Sequence, residues 1–226
     1  MGWSSVYFSG VDAALLYHIG WLIVNLLLLL LTRYRVRGRD NIPSQGPLIV
    51  VANHLNLIDP PLLGVSLGRR ASFMAKEELF RSKLASYFMG SLGAFPVSKG
   101  RLDRKALRRA MQVLADGLVL VIFPEGMRSR GGRLRAAFPG AARIALRSGV
   151  PIIPVGIAGT EKLKGLAWLW CRPEVTVNIG LPFSLPQASS KLTKVELLRL
   201  TDVIMGCIAE LLPVEYRGHY KGRETK

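Results

Sequence analysis

The sequence predicts an α/β fold: a mixed, mostly parallel β-sheet flanked by helices, preceded by an N-terminal membrane-associated helical segment. Three observations predict it. Short apolar, β-branched runs at Leu48–Ala52, Leu118–Phe123 and Val150–Ile157 have the length and composition of strands buried on both faces. Segments of helical character separate them. Before all of these, Ala13–Leu31 is an almost unbroken apolar stretch.

That first stretch approaches the ~20 residues that a spanning helix needs. His18, Gly20 and Asn25 interrupt it. Three placements stay open: a span, a bent pair of helices dipping into one leaflet, or a core helix. No Lys or Arg precedes the run and no small-residue cleavage site follows, so a signal peptide is not expected. Arg33, Arg35, Arg37 and Arg39 follow at once. The positive-inside tendency places the remaining chain on the cytoplasmic face. The expected division is an anchoring segment over 1–35, one domain over 36–215 and a basic tail over 216–226.

Composition narrows the partners. Thirty-one basic against 15 acidic residues give +16, yet 50% of the 226 residues are hydrophobic. Basic and apolar together point to an anionic membrane surface or an acidic substrate. No zinc-finger spacing or RNA-binding aromatic signature appears, so nucleic acid is not the expected partner. Cys171 and Cys207 are too few for a disulfide framework and fit a reducing compartment. With only His18, His54 and His219, and no His-Glu-x-x-His, no metal site is expected.

The strand at Leu48–Ala52 leads into Asn53-His54-Leu-Asn-Leu-Ile-Asp59-Pro-Pro61. Pro60 and Pro61 suit the first turn of a helix, where the missing N–H is not needed. Asp59, pushed out of the α region by the proline after it, is placed just before that helix. The loop then brings an imidazole and a carboxylate together at a sheet edge where open α/β sheets bind ligands. A carboxylate on one ring nitrogen fixes the tautomer, and the other nitrogen is free to take a proton from a hydroxyl. The plainer alternative is a helix cap at Asp59 and a hydrogen-bonded loop histidine.

Further strands are expected at Ala71–Ala75 and Val175–Ile179, a strand leading into a basic loop over Gly93–Arg101, and helices over Lys76–Phe88, Leu102–Asp116, Pro139–Arg147 and Lys191–Leu212. The strand at Leu118–Phe123 ends in Pro124-Glu125-Gly126-Met-Arg128-Ser-Arg130. Glycine there permits close backbone approach to a ligand, and arginine offers a planar fork matched to phosphate oxygens. A solvated basic turn is the alternative. Arg217–Lys226 is polar and basic and is expected to be disordered.

Gly64-Val-Ser66-Leu-Gly68 matches the nucleophile-elbow pattern, but that motif needs a strand before the serine and a helix after it. Here the serine falls late in an expected helix, which argues against a serine esterase.

Four blocks, in order, make the chain resemble the glycerophospholipid acyltransferases of the 1-acyl-sn-glycerol-3-phosphate acyltransferase type. His54 and Asp59 match the family's His-x4-Asp block. Gly93–Lys99 matches its second block, with Lys99 in place of arginine. Phe123-Pro-Glu-Gly-Met-Arg-Ser129 matches its Phe-Pro-Glu-Gly-Thr-Arg-Ser block, with Met127 in place of threonine. Val150–Ile157 matches its proline-containing apolar block. The resemblance covers Val36 to Phe183, and Asn56 stands where the family often has serine.

The resemblance implies the glycerolipid acyltransferase fold and transfer of an acyl group from acyl-CoA or acyl carrier protein to a lysoglycerophospholipid hydroxyl. The acceptor it points to first is 1-acylglycerol-3-phosphate, giving phosphatidate. No cofactor is implied beyond the acyl thioester co-substrate. It assigns His54 as base, Asp59 as its partner, Arg128 and Lys99 to the acceptor phosphate, and Gly126 to backbone approach. Glu125 is expected to orient Arg128 or a substrate hydroxyl. Another lysophospholipid or glycolipid acceptor, or a membrane lipid-binding protein without turnover, is the alternative.

Overall fold

The computed structural model describes residues 11–82, 86, 89–90, 93–97, 102–165, 168–186 and 193–222. In chain order the elements are α1 (Val11–Leu31), β1 (Arg33–Arg37), β2 (Leu48–Ala52), α2 (Asp59–Leu67), β3 (Ala71–Lys76), β4 (Ala94–Val97), α3 (Arg104–Ala115), β5 (Val119–Ile122), α4 (Gly140–Ser148), β6 (Ile152–Ala158), α5 (Trp168–Cys171), β7 (Glu174–Ile179) and α6 (Lys194–Glu210).

The strands form one sheet in the order β1-β7-β6-β2-β5-β3-β4. β2 is central, parallel to β5 on one side and to β6 on the other. β3 and β4 continue the parallel run beyond β5. The single reversal is β7, antiparallel to β6, and β1 then pairs parallel to β7. The sheet is therefore mixed and mostly parallel.

Every residue of β2, β5 and β6 is buried, as strands covered on both faces require. Alternation divides their side chains between two cores. Ile49, Val51, Leu120, Ile122 and Ile152 pack with Ile144 of α4 and Ile204 and Ile208 of α6. Leu48, Val50, Val119, Val121 and Val155 pack with Leu28 of α1 and Leu62 and Leu63 of α2. Each fully buried aliphatic side chain contributes roughly 1.5–3 kcal/mol, so these three strands hold the framework. The helix ends are built locally. Pro60 and Pro61 occupy the first turn of α2, and Gly68 ends it at φ 63°. Asp103 caps α3 by accepting the Ala106 N–H at 2.7 Å. Thr193 and Glu196 form a reciprocal capping box at the start of α6.

The structure corrects the sequence reading in several places. Arg33–Arg37 is an edge strand, with Tyr34 and Val36 half-buried between exposed arginines. Charged side chains along an edge oppose pairing with another chain, and this is the physical use of the alternation. Asp59 is the first residue of α2 and not the position before it. The expected helix over Lys76–Phe88 begins as a 3-10 turn, Glu77–Phe80. The C-terminal segment is ordered through residue 222: Val214–Tyr216 and Gly218–Tyr220 are 3-10 turns, and Tyr220 is 1% exposed within the core. Residues 223–226 of that tail lie outside the described residues.

Helix α1 is continuous and not a bent pair. It packs on α2, with Leu28 buried and Leu22, Ile23, Leu26, Leu27, Leu29 and Leu30 exposed. Among the described residues, no helix is long and apolar enough to cross a membrane.

Candidate active site

Parallel strands β2, β5 and β6 end at the same edge, and the loops that follow them meet there. After Ala52 the chain leaves β2, and Asn53 fixes the exit. Its side chain donates to the Ile157 carbonyl at 2.8 Å and accepts the Ile157 N–H at 2.7 Å. The amide thus imitates a strand backbone and ties the end of β2 to β6.

His54 follows. Its Nδ1 lies 2.8 Å from Asp59 Oδ2. The same oxygen accepts the N–H groups of Leu55 at 2.6 Å and Asn56 at 2.7 Å. Asp59 is fully buried, and its Oδ1 has no partner among the described residues. An ionised Asp59 accepts the hydrogen of Nδ1, and in the neutral ring this leaves the lone pair on Nε2. The imidazole is 16% exposed, and it stacks on Phe123 at a centroid distance of 4.2 Å and an interplanar angle of 24°. Ring orientation is thereby set from one edge by Asp59 and from one face by Phe123.

Glu125 lies in the loop after β5 and is 2% exposed. One carboxylate oxygen accepts the main-chain N–H of His54 at 3.0 Å, and the other accepts that of Arg135 at 3.0 Å. Burial pushes its pKa up to about 7, against the opposing pull of those two N–H donors and the Arg135 charge. Glu125 is therefore a clip between loops, and its bonding does not include Arg128 as the sequence suggested. Gly126 has φ 65° and donates to the Phe123 carbonyl at 3.0 Å, and a Cβ there would stand 3.0 Å from the Phe138 ring. The turn itself demands glycine at this position.

Arg128 is exposed and without a hydrogen bond or ion pair among the described residues. The next residue, Ser129, donates its N–H to the His54 carbonyl at 2.7 Å, which places Arg128 beside the His54 loop. The structure therefore brings His54, Asp59, Glu125, Gly126 and Arg128 to one edge. Lys99 lies outside the described residues. Ser66, 1% exposed, donates to the Leu62 carbonyl and bonds Tyr34 Oη, each at 2.6 Å, so its hydroxyl is a helix-packing group.

Three contributors escaped the sequence reading: Asn53, Phe123 and Asn56. Asn56 Nδ2 donates to the carbonyls of Thr160 at 2.8 Å and Leu163 at 3.2 Å, which ties the His54 loop to the loop after β6. The available signal was a polar residue on each side of His54, in a motif otherwise rich in leucine and isoleucine.

These features define an α/β protein with a carboxylate-held imidazole at the carboxyl edge of its central strands. The chain belongs to the Acyltransferase family, whose model spans residues 33–158. It is 34% identical over 133 residues to the chloroplastic 1-acyl-sn-glycerol-3-phosphate acyltransferase BAT2 of Brassica napus, a match covering 57% of this chain and 38% of that protein. The chain thus spans well under half of that plant relative. It is 27% identical over 179 residues to the 1-acyl-sn-glycerol-3-phosphate acyltransferase of Bacillus subtilis, covering 78% of this chain and 87% of that one. The crystal structure of the 1-acyl-sn-glycerophosphate acyltransferase PlsC from Thermotoga maritima superposes with a TM-score of 0.66 at 28% identity, covering 88% of this chain and 81% of that chain.

Proposed function

We propose that the protein transfers a fatty acyl group from an acyl thioester, acyl-CoA or acyl carrier protein, to the free hydroxyl of a lysoglycerophospholipid. The acceptor that fits first is 1-acylglycerol-3-phosphate, and the product is phosphatidate. The observation that carries this is the Asp59-held imidazole, with Nδ1 2.8 Å from Asp59 Oδ2. Membership of the family and the names of its relatives support the substrate class.

In this reading His54 Nε2 accepts the hydroxyl proton as the oxygen attacks the thioester carbonyl. The tetrahedral intermediate collapses with cleavage of the C–S bond, and the imidazolium returns its proton to the leaving thiolate. Asp59 stabilises the charge on the ring between the two transfers. General base and acid work of this kind contributes ~10²–10⁴-fold. The thioester is already activated, so the mechanism requires no cofactor and no acyl-enzyme. Arg128 supplies a guanidinium fork for the acceptor phosphate from the loop after β5. Lys99 is a second cation proposed for it.

The exposed leucines of α1, followed by Arg33, Arg35 and Arg37, fit a helix lying on an anionic membrane surface, with the site on the cytoplasmic face. There a lysolipid acceptor is already concentrated.

Purified protein in detergent, given radiolabelled acyl-CoA with lysophosphatidate and a panel of other lysolipids, tests this reading. Labelled phosphatidate is expected from the wild type and none from folded His54→Ala. A His54→Ala protein that keeps more than about a tenth of wild-type turnover removes the general-base role.

A further inference from the structure

Two loops flank His54, and each touches its loop directly. The loop after β5 does so through Glu125 and Ser129, and the loop after β6 through Thr160 and Leu163. Both loops are also held by one residue of the C-terminal segment. The Tyr216 hydroxyl donates to Glu161 Oε1 at 2.7 Å, and Glu161 Oε2 accepts the Gly159 N–H at 3.0 Å. The Tyr216 carbonyl accepts the Leu134 N–H at 2.8 Å, and the Leu134 carbonyl accepts the His219 N–H at 3.1 Å. Gly218 passes so close that a Cβ there would overlap the Leu134 carbonyl oxygen. Tyr220, buried in the core, fixes the segment to the domain.

The bonds close a circuit. It runs from Asp59 to Asn56, through Thr160, Gly159 and Glu161 to Tyr216, then through Leu134 and Arg135 to Glu125 and back to His54. Cations ride on both loops: Arg128, Arg130 and Arg133 on one, Lys162 and Lys164 on the other, all exposed.

We propose that Tyr216 is a positioning residue of the acceptor site, tying the loops after β5 and β6 together and so fixing the gap in which an anionic headgroup lies before His54. The role rests on the acyl-transfer reading above. Tyr216 touches no reacting atom; it acts through Glu161 and Leu134. Burial and the Glu161 carboxylate push its phenol above the usual tyrosine range, so the hydroxyl keeps its proton.

Tyr216→Phe removes the hydroxyl alone and leaves the main-chain bond to Leu134. The expected result is a roughly tenfold loss in kcat/KM for lysophosphatidate, carried by the acceptor KM, with donor KM unchanged. Glu161→Ala, which also frees the Gly159 N–H, should cost at least as much, and the double variant no more than Glu161→Ala alone, because Tyr216 acts through Glu161. Amide exchange should accelerate at Gly159–Leu163 and stay unchanged in α6. Acceptor kinetics unmoved by Tyr216→Phe, or losses that add in the double variant, overturn the proposal. So does unchanged exchange at Gly159–Leu163. A wild type that acylates no lysolipid overturns the functional reading instead, and the exchange measurement then decides the tie by itself.

Discussion

Glu125 holds His54 by its main chain and leaves the ring to Asp59. Its second oxygen holds Arg135, so one buried carboxylate spans the two ends of the loop after β5. The consequence is a pH signature. Burial raises the folded pKa from 4.5 to about 7, so the folded state binds this proton more tightly than the unfolded chain does. Its contribution to stability is fully present below the ordinary glutamate value and is lost as pH rises through about 7. The loss amounts to at most about 3 kcal/mol. Urea unfolding of wild type and Glu125→Gln between pH 4.5 and 8 should show wild type losing stability relative to the variant across that window. Parallel curves would show that Glu125 does not titrate there.

Asp59 has two separable duties, one to the imidazole and one to the loop. Asp59→Asn keeps an acceptor oxygen but removes the charge that, in the proposed mechanism, stabilises the imidazolium. Turnover should fall by ~10²–10⁴-fold with little change in melting temperature. Asp59→Ala also strands the N–H groups of Leu55 and Asn56, and should destabilise the fold by about 1–3 kcal/mol for each buried orphan. Steady-state rates and thermal melts on both variants separate the duties. Equal melting temperatures for Asn and Ala at this position would contradict the structural one.

Arg128 is an exposed cation next in sequence to Ser129, whose N–H bonds the His54 carbonyl. Charge-assisted hydrogen bonds are worth about 1.5–3 kcal/mol, so Arg128→Ala should raise the acceptor KM roughly ten- to a hundredfold. Arg128→Lys should recover only part of this, because an ammonium does not reproduce the fork. Kinetics with each substrate varied in turn provide the check. Loss of donor affinity with normal handling of lysophosphatidate would move Arg128 to the donor's phosphates.

Deleting α1 outright would also remove Leu28 from the core, so surface substitutions are the cleaner probe of the membrane. Leu22→Ser, Leu26→Ser and Leu30→Ser together should lower the fraction that floats with liposomes and leave the melting temperature nearly unchanged. Anionic lipid should strengthen binding at low salt, at about 1 kcal/mol for each arginine near the surface, and 0.5 M salt should remove most of that gain. Undiminished flotation of the triple variant would exclude this face as the contact.

The legible parts of this chain are those whose physics is local. The strands of β2, β5 and β6 announce themselves because burial on both faces makes every residue apolar. The hydrogen bond between His54 and Asp59 was legible because one short loop contains both residues. The loop-clipping role of Glu125 was not, since its bonding depends on β2 and β5 lying side by side in parallel, with Leu48 opposite Val119. Arg33–Arg37 carried a strand's alternation that reads equally well as a run of juxtamembrane charge, and only its pairing with β7 decides between them. Tyr220 sits in a basic stretch with no periodicity to mark it, and its burial is a tertiary fact.

The pairing of β1 with β7 also joins the first strand of the chain to the last. The Arg33 side chain reaches Arg172 across 139 positions of sequence, and the two strands lie in register from Arg33 opposite Glu174. So long a loop is entropically costly to close until the intervening β2–β6 layers have condensed. During synthesis, α1 and β1 leave the ribosome long before β7 exists to receive them. The five parallel strands can pair among themselves before β7 is made, whereas β1 has no neighbouring strand until then.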